Sequence, residues 1–238
     1  MLSARSLGVL IAGGVLAGCS TPPAATDAAS SPSISPAGAV RYVALGDSYT
    51  VGTSVALAER FPNQLVEALR GRVALELVAN LGVNGYATAD LLRDEMPHVA
   101  GLAPSLVTLL IGVNDAVRGV DRAQYLANVE QILDELLALL PPDRIVAIAV
   151  PDYTRTPSGG DFGDPAQQRA AIADFNSIMA DAAAERGVAF VDIGPVADLA
   201  DRDQTLVARD GLHPSGAQYA RWVELIAPVV EGLISDSA

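Results

Sequence analysis

Five short runs rich in Val, Ile and Leu, at residues 40–45, 73–79, 106–111, 144–150 and 188–191, alternate along the chain with longer stretches of helical period. Runs this short and this continuously apolar read as strands buried on both faces, the pattern of a parallel sheet covered by helices. The intervening stretches supply those helices. Residues 62–70 begin on Pro62, whose fixed φ suits a first helical turn. In 121–140, Leu126, Val129, Leu133, Leu136, Leu137 and Leu140 recur at threes and fours and make one apolar face. Residues 165–186 do the same through Ile172, Phe175, Met179 and Ala183, and Gly187 supplies the stop. Pro214 is expected to open a last helix carrying Trp222, Leu225 and Ile226, with Pro228 placed to kink or end it. Such alternation specifies an α/β fold: a single three-layer domain with a mostly parallel five-stranded sheet flanked by helices.

Ahead of this domain the chain changes character. A single Arg5 precedes an apolar run at residues 7–17, too short to cross a bilayer of roughly 30 Å as a helix but suited to the core of a signal peptide. The tetrad Leu16-Ala17-Gly18-Cys19 resembles the lipobox of bacterial lipoproteins. That resemblance implies a signal peptide over 1–18, lipid attachment to the Cys19 thiol and cleavage just before it. Two or more acyl chains would anchor the protein stably in an envelope membrane, outside the cytoplasm. The alternative is an ordinary secretory signal with an incidental Cys. Residues 19–39 are mostly Ser, Thr, Ala and Pro with one large aliphatic, Ile34, and are expected to be a flexible tether. The folded domain is then 40–234.

Charge and cysteine content exclude several functions. The formal net charge is −13 and every basic residue is Arg, so binding to nucleic acid or electrostatic attachment to anionic lipid is not expected. One Cys and two His leave almost nothing to build a zinc site from. No P-loop or GxGxxG is present, so neither metal nor cofactor is expected. Nothing sets an oligomeric state, and a monomer is the default.

The chemistry lies in four blocks. Three follow expected strands directly, at the carboxyl ends where open α/β sheets place their sites. They are Gly46-Asp47-Ser48-Tyr49-Thr50-Val51-Gly52, then Asn80-Leu81-Gly82-Val83-Asn84-Gly85-Tyr86-Ala87-Thr88, then Gly112-Val113-Asn114-Asp115. The fourth, Asp210-Gly211-Leu212-His213-Pro214, precedes the last helix. A serine hydroxyl needs a neighbouring base to become a nucleophile, and His is the natural one near neutral pH. Asp210, three residues before His213 across a glycine turn, is close enough to accept the other imidazole hydrogen and fix the tautomer. A tetrahedral intermediate needs donors aimed at its oxyanion, and glycine N–H groups and an Asn amide suit that task. Each residue also has a plainer reading: Ser48 as a helix cap, Asn114 as a turn former, Asp47 and Asp115 as loop braces, His98 as a surface histidine.

Together the four blocks resemble those of the SGNH (GDSL) hydrolase family, in the same order and over most of the domain. The resemblance implies a flavodoxin-like SGNH fold and a serine ester hydrolase. It makes Ser48 the nucleophile, with Asp210 and His213 completing a triad, and assigns the oxyanion hole to Ser48 N–H, Gly85 and Asn114. Gly82 is a rival to Gly85 for the second donor. No GxSxG elbow occurs, which sets the chain apart from the α/β-hydrolases. The expected substrate is a small acyl ester or a lysolipid-like ester. Removal of O-acetyl groups from envelope polysaccharide is the alternative, as is a non-catalytic binding lipoprotein on the same fold. The loop from Asp152 to Pro165, with three glycines, Tyr153 and Phe162, is expected to form part of the substrate wall; the alternative is that both aromatics pack the loop onto the domain.

Overall fold

The structure, a computed structural model, describes residues 38–235. The expected signal peptide, Cys19 and the tether up to residue 37 lie outside the described residues. The chain runs through β1 (Val40–Gly46), α1 (Ser48–Val51), α2 (Phe61–Ala68), β2 (Leu75–Asn80), α3 (Thr88–Asp94), α4 (Met96–Val99), β3 (Leu106–Leu110), α5 (Val113–Arg118), α6 (Arg122–Leu137), β4 (Ile145–Ile148), α7 (Pro165–Glu185), β5 (Ala189–Val191), α8 (Gly194–Ala197) and α9 (Gly216–Ser235). All strand pairs are parallel, in the order β2-β1-β3-β4-β5. That is the flavodoxin-like doubly wound order, with its switch point between β1 and β3.

The continuous apolar runs have the expected cause. Every residue of β3 and β4 is buried, as are the last five of β1, because helices cover both faces of the sheet. Helix α2 packs on α9, while α6 packs on α7 and α3. In a doubly wound sheet two such groups take opposite faces. Trp222 and Tyr219 of α9 and Tyr125 of α6 are among the largest fully buried side chains.

Two helix boundaries differ from expectation. Helix α9 begins at Gly216 rather than Pro214, because Pro214 forms an antiparallel bridge with Val207 that closes the loop before it. Pro228 neither ends nor divides α9. Its ring lies at an exposed position, and the Glu224 carbonyl that loses its N–H partner is also on the exposed side, where water can serve it. Helices α3 and α5 start inside the second and third blocks, where glycines and Asn read as loop.

Register explains why the blocks meet. Gly46 of β1 lies opposite Leu110 of β3, and Ala44 lies opposite Asn80 of β2. Three neighbouring strands therefore end at one level, and the residues that follow them share one edge of the sheet.

Candidate active site

The first block is shaped by a steric limit. Gly46 has φ +148°, and a Cβ there would sit 2.1 Å from the Leu110 carbonyl oxygen of the adjoining strand, so only glycine lets β1 and β3 run out together. Its N–H donates to Glu95 Oε2 at 3.0 Å in the interior. Asp47 then caps α1, its Oδ1 accepting from Tyr49 N at 2.9 Å. Ser48 is the first residue of that helix, a position whose N–H has no partner within the helix. From behind, α9 braces the turn: Tyr219 Oη donates to the Tyr49 carbonyl at 2.9 Å, and Trp222 stands edge-on to Tyr219 at 5.0 Å.

Two buried carboxyls support this turn. Burial, opposed by the Tyr49 N–H and reinforced by the Asp115 charge, pushes Asp47 up to about 8. Burial, opposed by the Gly46 N–H and reinforced by Asp47, pushes Glu95 up to about 8 as well. Asp47 Oδ2 and Glu95 Oε1 have no hydrogen-bond partner, as fits carboxyls that prefer to stay neutral.

The second block separates its two glycines. Gly82 is buried against α1, where a Cβ would meet Val51 N at 2.8 Å and Asp47 O at 2.9 Å. Its N–H is committed to Asn80 Oδ1 at 3.1 Å, and the Asn80 amide in turn donates to Thr50 O at 2.7 Å. Gly82 and Asn80 thus fasten the loop onto the turn that carries Ser48. Gly85, at φ +80°, lies on the wall of a pocket beside Ser48, and its carbonyl is held by Arg118 at 2.6 Å.

The third block opens α5. Asn114 lines the same pocket, and its Nδ2 donates to the Tyr86 carbonyl at 2.8 Å. That bond uses one amide hydrogen and leaves the other. Asp115 is turned into the helix layer and accepts from Thr88 N at 2.9 Å and Thr88 Oγ1 at 2.5 Å, which clamps the start of α3. Burial raises the Asp115 carboxyl, against the pull of those two bonds.

In the fourth block a glycine turn folds a carboxylate back on its own segment. Gly211 has φ +74°, and Asp210 Oδ1 accepts from Leu212 N at 2.9 Å and His213 N at 3.0 Å. Asp210 Oδ2 lies 2.6 Å from His213 Nδ1 and 2.5 Å from Ser54 Oγ. Burial alone would raise the Asp210 carboxyl, but the bonds from Ser54, Leu212 and His213 outweigh it and hold Asp210 well below the usual carboxylate range. An ionised carboxylate only accepts, so Nδ1 of His213 carries a hydrogen, and in the neutral ring Nε2 presents the lone pair.

The pocket has a volume of about 260 Å³ and brings Ser48, Gly85, Asn114 and His213 to one space. Its apolar wall is Val113, Val117, Tyr153, Phe162 and Leu212, so both aromatics of the 152–165 loop take part. Tyr153 and Phe162 pack edge to face at 5.7 Å. Ser48 Oγ has no hydrogen-bond partner among the described residues, and catalytic hydrogen bonds commonly tighten only when substrate is bound. His98 is exposed on α4, away from the pocket. Tyr49, Thr53 and Asn84 also line the pocket: Tyr49 and Asn84 belong to the first and second blocks and Thr53 directly follows the first, but the sequence gives none of them a role.

Comparison with known proteins gives the family and the fold. The family model described as GDSL-like lipase/acylhydrolase matches residues 44–221. A lipase from Streptomyces rimosus is 25% identical over 189 residues, covering 65% of this chain and 70% of the relative. Among solved structures, TesA superposes with a TM-score of 0.64 at 20% identity, covering 81% of this chain and 99% of that one. A variant of Axe2, an acetyl xylan esterase from Geobacillus stearothermophilus, superposes with a TM-score of 0.64 at 19% identity, covering 81% and 95%.

Proposed function

Because the chain belongs to the GDSL-like lipase/acylhydrolase family and is a hydrolase, we propose that it cleaves a carboxylic ester through an acyl-enzyme on Ser48. The observation that carries this reading is the single pocket shared by a capped serine, a histidine oriented by an ionised carboxylate, and hydrogen-bond donors from two further loops. Nε2 of His213 takes the Ser48 proton as Oγ attacks the ester carbonyl. Charge then develops on the carbonyl oxygen, where the N–H groups of Ser48 and Gly85 and the second amide hydrogen of Asn114 stabilise it. His213 returns the proton to the leaving alcohol, and water repeats the sequence on the acyl-enzyme. Asp210 keeps its charge throughout and stabilises the imidazolium.

The apolar wall of Val113, Val117, Tyr153, Phe162 and Leu212 favours an ester with an apolar group of moderate size over a bare acetyl. A panel of nitrophenyl esters from acetyl to dodecanoyl, with acetylated sugars and lysophospholipids beside it, tests the substrate class. Preference for acetylated polysaccharide would favour the deacetylase alternative. A fluorophosphonate probe is expected to label Ser48, and Ser48→Ala is expected to abolish both labelling and turnover. Full activity in Ser48→Ala sinks the mechanism. The lipobox-like tetrad supports an exported, membrane-anchored protein with lipid on Cys19. Metabolic labelling with a fatty acid should mark the native chain and not Cys19→Ser; an unlabelled native chain rules the anchor out.

A further inference from the structure

Ser54 combines two unusual features. Among the described residues, only Ser54 and Ala103 have positive φ without being glycine. At +66° the Ser54 backbone lies in the left-handed region that an L side chain adopts at a cost. Its hydroxyl donates to Asp210 Oδ2 at 2.5 Å, across 156 residues of sequence.

The Asp210 carboxylate receives four donors. Leu212 N and His213 N reach Oδ1, while His213 Nδ1 and Ser54 Oγ reach Oδ2. Three of these come from residues within three positions of Asp210 and move with its own turn. Ser54 is the one donor from elsewhere in the chain, on the loop that leaves the nucleophile helix α1. Its bond therefore fixes the plane of the carboxylate against the rest of the site and ties the serine-bearing loop to the histidine-bearing loop. It also shares the oxygen that holds His213, and so sets how strongly that oxygen draws on the imidazolium.

We propose that Ser54 is a positioning residue of the hydrolytic site, acting on His213 through Asp210, with its strained backbone retained because it aims the hydroxyl. The inference rests on the Ser48–His213–Asp210 reading given above. Of the groups near the pair, Asp47, which accepts from Tyr49 N, is pushed up to about 8 by burial and is the same in every variant compared. Tyr49, whose ring centre is 5.6 Å from that of His213, and Tyr219 are both pushed well up by burial.

The test is the pH dependence of kcat and KM for nitrophenyl butyrate hydrolysis by the full chain, as wild type, Ser54→Ala and Ser54→Gly, with Ser48→Ala as control. Glycine tolerates φ +66° and relieves the strain while deleting the hydroxyl, so it separates loss of the bond from backbone strain. Both Ser54 variants are expected to lose about tenfold in kcat, the scale of one hydrogen bond to a charged group, with KM little changed. Freed of one donor, Asp210 stabilises imidazolium more strongly, so the rising limb moves to higher pH, by about half a unit. A structural role would not move that limb. If Ser48→Ala is inactive while Ser54→Gly keeps wild-type kcat and the same limb, the positioning role is overturned and the triad stands. A loss of activity that only tracks a lower melting temperature overturns it too. Full activity in Ser48→Ala removes the triad reading and this inference together.

Discussion

Replacing Asn114 by alanine sets two effects of different size against each other. The side chain donates one amide hydrogen to Tyr86 O at 2.8 Å and is proposed to keep the second for the oxyanion. Loss of the Tyr86 bond costs folding stability by about 1 kcal/mol. Tyr86 is only half-buried, so water can replace the donor, and alanine at the second position of α5 returns roughly 0.5 kcal/mol of helix propensity. The net change in stability is therefore small. Loss of an oxyanion donor acts only where charge has developed and typically costs on the order of 10²–10³ in kcat, about 3–4 kcal/mol of transition-state stabilisation. The expected result is a melting temperature within a few degrees of wild type and a collapsed kcat with KM nearly unchanged, read from ester turnover and thermal unfolding on the same sample. Asn114→Asp keeps the size but replaces the donor by an acceptor, and should be no better than alanine. A kcat per folded molecule within about threefold of wild type would refute the donor role and leave Asn114 as the residue that ties α5 to the second loop.

Glu95→Gln tests the buried acid pair by stability against pH. A folded-state carboxyl pushed to about 8 from 4.5 binds more proton than the unfolded chain between those values, so its contribution to stability is complete below about pH 4.5 and is lost as pH rises through 8. The variant, which keeps an acceptor for Gly46 N–H, should therefore gain on wild type between pH 5 and 9, at about 1.4 kcal/mol per unit of displacement; parallel melting curves across that range would contradict the assignment. Activity should rise as His213 loses its proton, since only neutral imidazole can accept from Ser48. His98→Ala should leave that limb in place and His213→Ala should remove nearly all turnover, and the reverse result reassigns the base.

Strands and the four sequence blocks were legible because they are local signals. Each expected strand agrees with the observed one to within two residues at either end, since a strand buried on both faces must be apolar throughout. The four blocks were legible as an ordered family resemblance, which the match of the GDSL-like family model over residues 44–221 bears out. Asp210 and His213 needed only a turn between them to meet. The extent of α9 was less so: Pro214 carries the sequence signature of a helix start, but its bridge to Val207 claims that residue for the loop.

The rest required the chain to be folded. Strand order and register bring Gly46 level with Leu110, and so put Ser48 beside Asn114, yet neither block contains a trace of the other. The choice between Gly82 and Gly85 followed the same rule. Both are glycines in one loop, and only contact with α1 shows that Gly82 is taken up by packing while Gly85 lies on the pocket wall. Ser54 is the extreme case: nothing near it in sequence marks it, because its partner is 156 residues away and its backbone angle is set by the loop. Period, caps and reactive residue types act over a few positions and can be read from the chain; distances between loops, and the pKa shifts that burial imposes, exist only once the sheet has brought those loops together.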